Sequence, residues 1–346
     1  MDERTWSMLS AYRDFLDEAV AYARSQADAG APRVGERLQE FLGVPPAHLP
    51  VVRLDVPPHQ FVNLDVAMDE LVETHGGGLT LGIGGGDQRH HQTFGDMVQG
   101  RGHWSVTVGA VDRDRENTGP HSSREVVTMG IRLFRYDGVP VAALQRRTNP
   151  QYGSATGLEV IAPESVTGPL LTDVRRLMVE RSVYRGQVLS FAASDPTYGQ
   201  STGGISFLER PQLTGRDVVL PPGALTRIER HVAGAAQHRA ALRAAAQHLK
   251  RGVLLYGPPG TGKTHTIRYL LGRLPGATVV ILAGNALGLV AQAAELAQAL
   301  QPAVVVLEDV DLIAEHRDLY HAPSRSCSPS WTRWTASPVR RTWHSC

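Results

Sequence analysis

The segment that most restricts what this 346-residue chain can fold into is Gly257-Pro258-Pro259-Gly260-Thr261-Gly262-Lys263-Thr264. It matches GxxxxGK[ST] in full, between an apolar run and a helix-forming one, which is the context in which this pattern wraps a phosphate. The chemistry needs these residue types at this spacing. Glycines at 257, 260 and 262 let the backbone turn tightly and aim its N–H groups inward, and the positive end of the following helix completes an anion cradle. Lys263 would place its ammonium on β- and γ-phosphates, and the Thr264 hydroxyl would take a place on Mg²⁺. Composition sharpens the point. Of 35 basic residues only Lys250 and Lys263 are lysines. The arginine bias reflects a GC-rich genome, and a lysine kept within it marks a place where an ammonium point charge is wanted and a guanidinium fork fits badly. Lys250, near a helix C-terminus where a cation suits the dipole, is assigned no chemistry.

Around the motif, Gly252–Tyr256, Thr278–Leu282 and Ala303–Leu307 read as strands that are apolar throughout. Helices over His265–Leu274 and Leu287–Leu300 separate them, which predicts a parallel sheet covered on both faces. The third strand runs into Glu308-Asp309-Val310-Asp311. Acids at the carboxyl end of such a strand lie where ligands bind in open parallel sheets. One can hold Mg²⁺, and the next can orient an attacking water as base.

These residues together, the double-proline phosphate loop and an apolar strand ending in Glu308-Asp309 and then Val310-Asp311, resemble the AAA family of ATPases over about 215–320. The resemblance implies ATP and Mg²⁺ as cofactors and ATP hydrolysis in a homo-hexameric ring. It also implies remodelling of a macromolecular partner, expected to be protein. Gly257, Pro258, Pro259, Gly260, Thr261, Gly262, Lys263, Thr264 and His265 would then hold the nucleotide. Thr264 and Glu308 would hold the metal, and Asp309, with Glu308 and Lys263, would be catalytic. Asp217-Val218-Val219 falls where such proteins line the adenine pocket. Two departures stand out. The usual acid order is Asp then Glu, and the swap here resembles the Bcs-type mitochondrial branch. Residues 283–302 contain no aromatic and no lysine, which argues against threading a polypeptide by aromatic paddles. Against a small-molecule P-loop kinase stand the double proline and the Glu-Asp-Val-Asp element.

The expected architecture is α/β: an N-terminal α+β domain (1–214) that recognises a partner, then an AAA-type parallel sheet covered by helices (215–320), incomplete at its C-terminus. Residues 7–42 read as helix, with a stripe through Leu9, Tyr12, Leu16, Ala19 and Ala23. Strands are expected at Ser105–Val111, Val126–Phe134, Val139–Leu144, Leu158–Ile161 and Gln187–Phe191, and a helix at Leu170–Val183. Pro211–Pro222 reads as a linker and Gly223–Leu249 as helical. The glycine clusters at 76–78 and 82–86 lack a following Lys-Ser/Thr and read as turns or loops. His90-His91 with Asp87 and Asp96 read as a solvated loop rather than a metal site. Arg175, Arg176, Arg181, Arg227, Arg230, Arg239 and Arg243 read as solvated faces. With 35 basic against 34 acidic residues, no global field draws the chain to nucleic acid or a membrane. There is no apolar run of ~18 residues and no apolar stretch behind Met1-Asp2-Glu3-Arg4. The only cysteines are Cys327 and Cys346, so a cytoplasmic protein without a disulfide framework is expected.

Residues 321–346 differ in kind. They hold three of five tryptophans, both cysteines, six serines, four arginines and no acid. Read one base back, each Trp-Thr pair (Trp331-Thr332, Trp334-Thr335) becomes an apolar residue followed by Asp. Ser330–Ser337 then fits Leu-Leu-Asp-x-Met-Asp-Gly-Leu, which resembles the segment AAA proteins carry after this strand. A shifted frame near codon 320 is therefore expected. It would leave the module without sensor 1, arginine finger and lid, and the sheet without strands. The other reading of the tail is a disordered basic segment.

Overall fold

The computed structural model describes residues 3–27, 32–99, 106–147, 156–191, 204–247 and 250–310. Asp311 and the anomalous tail lie outside them. Met1–Glu308 forms one compact unit and Asp309–Cys346 a second. Among the described residues no helix is long and apolar enough to cross a membrane.

The chain opens with Glu3–Ala27 (α1) and Val34–Leu42 (α2), where one helix over 7–42 was expected. Gly30 and Pro32 lie between them, and a proline there stops a helix from running through. Next come Val51–Asp55 (β1), Phe61–Thr74 (α3), Gly78–Ile83 (β2), Phe94–Gln99 (α4), Val108–Gly109 (β3) and Asp112–Asn117 (β4). Ser123–Tyr136 (β5), Val139–Arg146 (β6), Gly157–Ile161 (β7) and Glu164–Glu180 (α5) follow. The strands form one antiparallel sheet in the order β1-β7-β6-β5-β2-β3, with β4 also paired to β5. The long β5–β6 hairpin closes through Asp137-Gly138, both at positive φ (48° and 82°). An Asp-Gly pair favours this two-residue turn because its twist matches the strands it joins. One sheet face packs on α3 and α5 through Phe134, Val141, Leu158, Phe61, Leu64 and Leu170. The other packs on α2 and α4 through Ile131, Leu144, Leu38 and Phe94.

Several expectations for this half are corrected. Of the strand expected at Ser105–Val111, Ser105 lies outside the described residues, and Val108–Gly109 forms the two-residue β3. α5 begins six residues before Leu170, its second turn accommodating Pro169, because Leu170, Leu171, Val174 and Leu177 hold its inner face in the core. Of the glycine clusters expected as turns or loops, Gly78 and Gly82 lie in strand β2. A Cβ on Gly82 would meet the Ala110 backbone at 2.0 Å, so glycine is there to let two backbones approach. Gly76 and Gly77, between α3 and β2, and Gly85 and Gly86, after β2, are at positive φ. Among the described residues no cluster of metal-ligating side chains occurs.

Val188–Phe191 (β8) and Ile205–Leu208 (β9) do not join that sheet. They pair with the strands that follow the phosphate loop. Ala224–Gln237 (α6), Arg239–Ala244 (α7), Lys263–Gly272 (α8), Thr278–Leu282 (β10), Val290–Ala299 (α9) and Ala303–Leu307 (β11) complete the described chain. The second sheet runs β11-β10-β8-β9, with β11, β10 and β8 parallel and β9 antiparallel. The boundary expected at 214/215 therefore does not separate the two sheets. Leu189, Val280, Leu282 and Leu296 share one continuous core with α3 and α5. The architecture is mixed α/β. The strand expected at Gly252–Tyr256 is absent from the sheet. Among the described residues that segment pairs with no strand, and Leu254 and Tyr256 are 82% and 96% exposed.

Candidate functional site

The loop Gly257–Gly262 leads directly into α8 at Lys263. Gly260 and Gly262 take φ of +79° and +84°, with no heavy atom within 4 Å of the position a Cβ would occupy. Their glycine requirement is thus one of backbone conformation, since a side chain there costs roughly 1–2 kcal/mol in the left-handed region. Lys263 turns back over the loop. Its Nζ donates to the carbonyls of Gly257 (2.8 Å) and Pro258 (2.9 Å). Thr261 Oγ1 also donates to Pro258 O at 2.9 Å, so one carbonyl organises both ends of the loop. Thr264 is exposed on the first turn of α8, beside N–H groups that a helix leaves without intrahelical acceptors.

Arg210 sets the direction of α8. Its guanidinium donates to Leu271 O (2.8 Å) and Leu274 O (3.0 Å) at the helix C-terminus. It also donates to Gly186 O (2.9 Å) and Ala277 O (2.7 Å), just before β8 and β10. The C-terminus of α8 therefore lies at the amino ends of these parallel strands. Ile267 and Leu271 pack on Val188, Val279 and Val306 of the same sheet. A ten-residue helix is ~15 Å long and a five-residue strand ~17 Å, so the Lys263 end of α8 reaches the carboxyl ends of β10 and β11. Glu308 is there, half-buried, with its N–H donating to Leu282 O at 2.9 Å. Burial lowers the Arg210 pKa from its ordinary value. Sequence reading missed this residue, because a lone arginine beside Pro211 carries no periodic signal.

A second contact ties the loop to the segment before α6. His265 Nε2 lies 2.8 Å from Asp217 O. Asp217 in turn closes a turn with Thr214. Its carboxylate accepts from the Thr214 N–H at 2.7 Å and the Thr214 hydroxyl at 2.8 Å. Those bonds hold the Asp217 carboxyl below its ordinary pKa, with the His265 charge a smaller cause. Val218 is buried against Tyr269 and Leu270 of α8, whereas Val219 points outward. In the same cluster the Tyr269 hydroxyl donates to Glu229, and this bond raises the tyrosine pKa. Asp309, expected beside Glu308, is exposed and has a positive φ of 53°, a conformation that aspartate tolerates better than most residues.

The donors converging at the head of α8 are an ammonium, helix N–H groups and a hydroxyl, with a carboxylate at the neighbouring strand end. That set suits a polyphosphate carrying a hard divalent cation, which takes oxygen ligands. The class of site is an anion cradle at a helix N-terminus beside a parallel sheet. Residues 253–327 match the family described as ATPase family associated with various cellular activities (AAA). The match supports an AAA family ATPase, and such a domain suggests ATP binding and hydrolysis. A search of curated proteins finds no match.

Proposed function

We propose that the chain binds and hydrolyses ATP at the head of α8, as an AAA-type ATPase that acts on a macromolecular partner, a protein rather than a nucleic acid. The observation that supports this reading is the antiparallel set of α8 against β8, β10 and β11, with the phosphate loop at the end of α8 away from Arg210. Lys263 and the loop N–H groups would hold the β- and γ-phosphates, the ammonium exchanging its carbonyl partners for phosphate oxygens. Thr264 and Glu308, in a Walker B strand of reversed acid order, would hold Mg²⁺, which when bound neutralises charge on the phosphate oxygens. Asp309 would accept the proton of the water that attacks the γ-phosphorus as the bond to the β-phosphate oxygen breaks. His265 and the 214–219 segment would flank the base. In keeping with the resemblance, the working form would be a homo-oligomeric ring.

A second reading is nucleotide binding without turnover. It is favoured by the unpaired Gly252–Tyr256 segment, which leaves the phosphate loop without a strand behind it. Steady-state phosphate release from the purified chain separates the two. Turnover that Lys263→Ala abolishes supports the ATPase. Saturable ATP binding, lost in Lys263→Ala, with no phosphate released would replace it with the second reading.

A further inference from the structure

The C-terminal half of α8, the half away from Lys263, shares a cavity of about 600 Å³ with α6, α7 and Arg251. That volume falls within the ~300–1,000 Å³ of small-molecule sites. Leu242 of α7 and Leu270 and Leu274 of α8 give it apolar walls. Its charge is one-sided. Arg230, Arg251 and Arg273 line it against one carboxylate, Glu229. Glu229 is already engaged, since the Tyr269 hydroxyl donates to it and Arg273 Nε lies 3.6 Å away. Among the described residues neither Arg230 nor Arg251 has a carboxylate partner. The one bond from the Arg251 guanidinium is to the carbonyl of its own neighbour Lys250, at 3.0 Å.

Two uncompensated guanidinium groups beside leucine walls select for a particular chemistry. A guanidinium presents a planar fork of donors that matches an acidic head with two or more oxygens. The leucines favour an apolar body, which leaves water on binding. A free inorganic ion would use the arginines but not the leucines. A neutral hydrocarbon would use the leucines but leave both charges unanswered. The cavity is separate from the phosphate loop, because α8 spans ten residues, or ~15 Å, between Lys263 and Gly272. His231 also lines it, and its Nε2 lies 3.2 Å from Gly252 O in the segment that leads to the loop.

We propose that this cavity binds a small organic anion, its acidic head held by Arg230 and Arg251 and its apolar body seated on Leu242, Leu270 and Leu274. The proposal does not depend on the ATPase reading. The test is fluorescence titration of the full chain, without nucleotide, with 8-anilinonaphthalene-1-sulfonate, an aromatic body carrying one anionic head. N-phenyl-1-naphthylamine, the same rings without the sulfonate, is the uncharged comparison. Both arginines are exposed and glutamine is a good helix former, so Arg230→Gln/Arg251→Gln removes the charges with no core to disturb. An unchanged thermal midpoint checks that. The expected result is saturable binding of the sulfonate that weakens about tenfold or more in the double variant, because charge-assisted bonds hold the head. The uncharged dye should bind weaker than the sulfonate by a similar factor, and Lys263→Ala should leave sulfonate binding unchanged. No saturable binding overturns the proposal, as does equal affinity in the double variant. So does an uncharged dye bound as tightly as the sulfonate, the result expected of apolar surface alone. Loss of sulfonate binding in Lys263→Ala overturns it too, by placing the dye in the phosphate loop.

Discussion

Removing the Arg210 guanidinium tests whether this one side chain sets the aim of the phosphate loop. It donates to four backbone carbonyls, two closing α8 and two preceding β8 and β10. A bond from a charged donor contributes about 1.5–3 kcal/mol, so four of them sum to ~6 kcal/mol at the low end of that range. The site is only half-buried, and water can satisfy part of what Arg210→Met would orphan. The expected loss is therefore about 2–4 kcal/mol, a large share of the ~5–15 kcal/mol that holds a domain together. Lysine brings the charge but no planar fork, so Arg210→Lys should recover less than half. Urea titration of the full chain gives the stability change. A fluorescent ATP analogue gives the second reading: if α8 is misaimed, affinity falls at least tenfold even at urea-free, fully folded conditions. A loss under 1 kcal/mol, or unchanged affinity in a destabilised variant, would refute the idea that Arg210 couples helix direction to the loop.

Three further outcomes follow from the same physics. Asp65 is buried and accepts from the Val127 N–H (3.1 Å), Arg132 Nη2 (2.7 Å) and Gln145 Nε2 (2.9 Å); Arg132 keeps Asp69 as a second carboxylate, so Asp65→Ala leaves the Val127 N–H without its acceptor but not the Arg132 charge unpaired, and should cost ~1–3 kcal/mol by chemical denaturation. Gly262→Val forces a β-branched residue to a φ of +84° at the start of α8; nucleotide binding by calorimetry should vanish while the thermal midpoint falls only a few degrees. The Asp217 carboxyl has a lowered pKa because Thr214 donates to its charged form. The contribution of that turn is complete above the ordinary carboxylate range and is lost as pH falls through the depressed value. Amide exchange at Thr214 should accelerate only at that acidic end; acceleration already near neutrality would contradict the assignment.

The sequence showed the elements whose signal is local. β10 and β11 lie where unbroken apolar runs placed them, and α8 begins within two residues of expectation. β1, β2, β4, β9 and α3 were not read at all. β2 contains Gly78 and Gly82, residues that usually break strands, and only the approach of Ala110 explains Gly82. β4 is Asp-Arg-Asp-Arg-Glu-Asn, polar on both faces, and is strand because β5 offers it a partner. α3 buries Asn63 and Asp65 along with its apolar face, which blurs the amphipathic period. Their partners lie far along the chain: Val183 N–H donates to Asn63, and Arg132 to Asp65. No window of a dozen residues contains that information.

The phosphate loop shows the same limit at closer range. Its glycines, its lysine and its helix start obey rules confined to eight residues, and those features were legible. The strand behind it was expected from Val253, Leu254 and Tyr256, an apolar pattern that says only that these side chains gain by burial. Whether they are buried depends on a neighbouring strand, a long-range fact. Leu254 and Tyr256 instead face solvent, so the loop rests on α8, Arg210 and the His265–Asp217 contact, with the segment before it tied by His231, whose Nε2 lies 3.2 Å from Gly252 O, and not by a strand. A loop with no strand behind it keeps its shape but gains less rigidity, and rigidity is what a catalytic anion cradle contributes over a mere binding one. On the proposed reading, binding would need only the loop and α8, whereas turnover would also need the register between α8 and Glu308 after β11. That is why the residues most decisive between the two functional readings are Arg210 and the unpaired 252–256 segment, neither of which belongs to the motif.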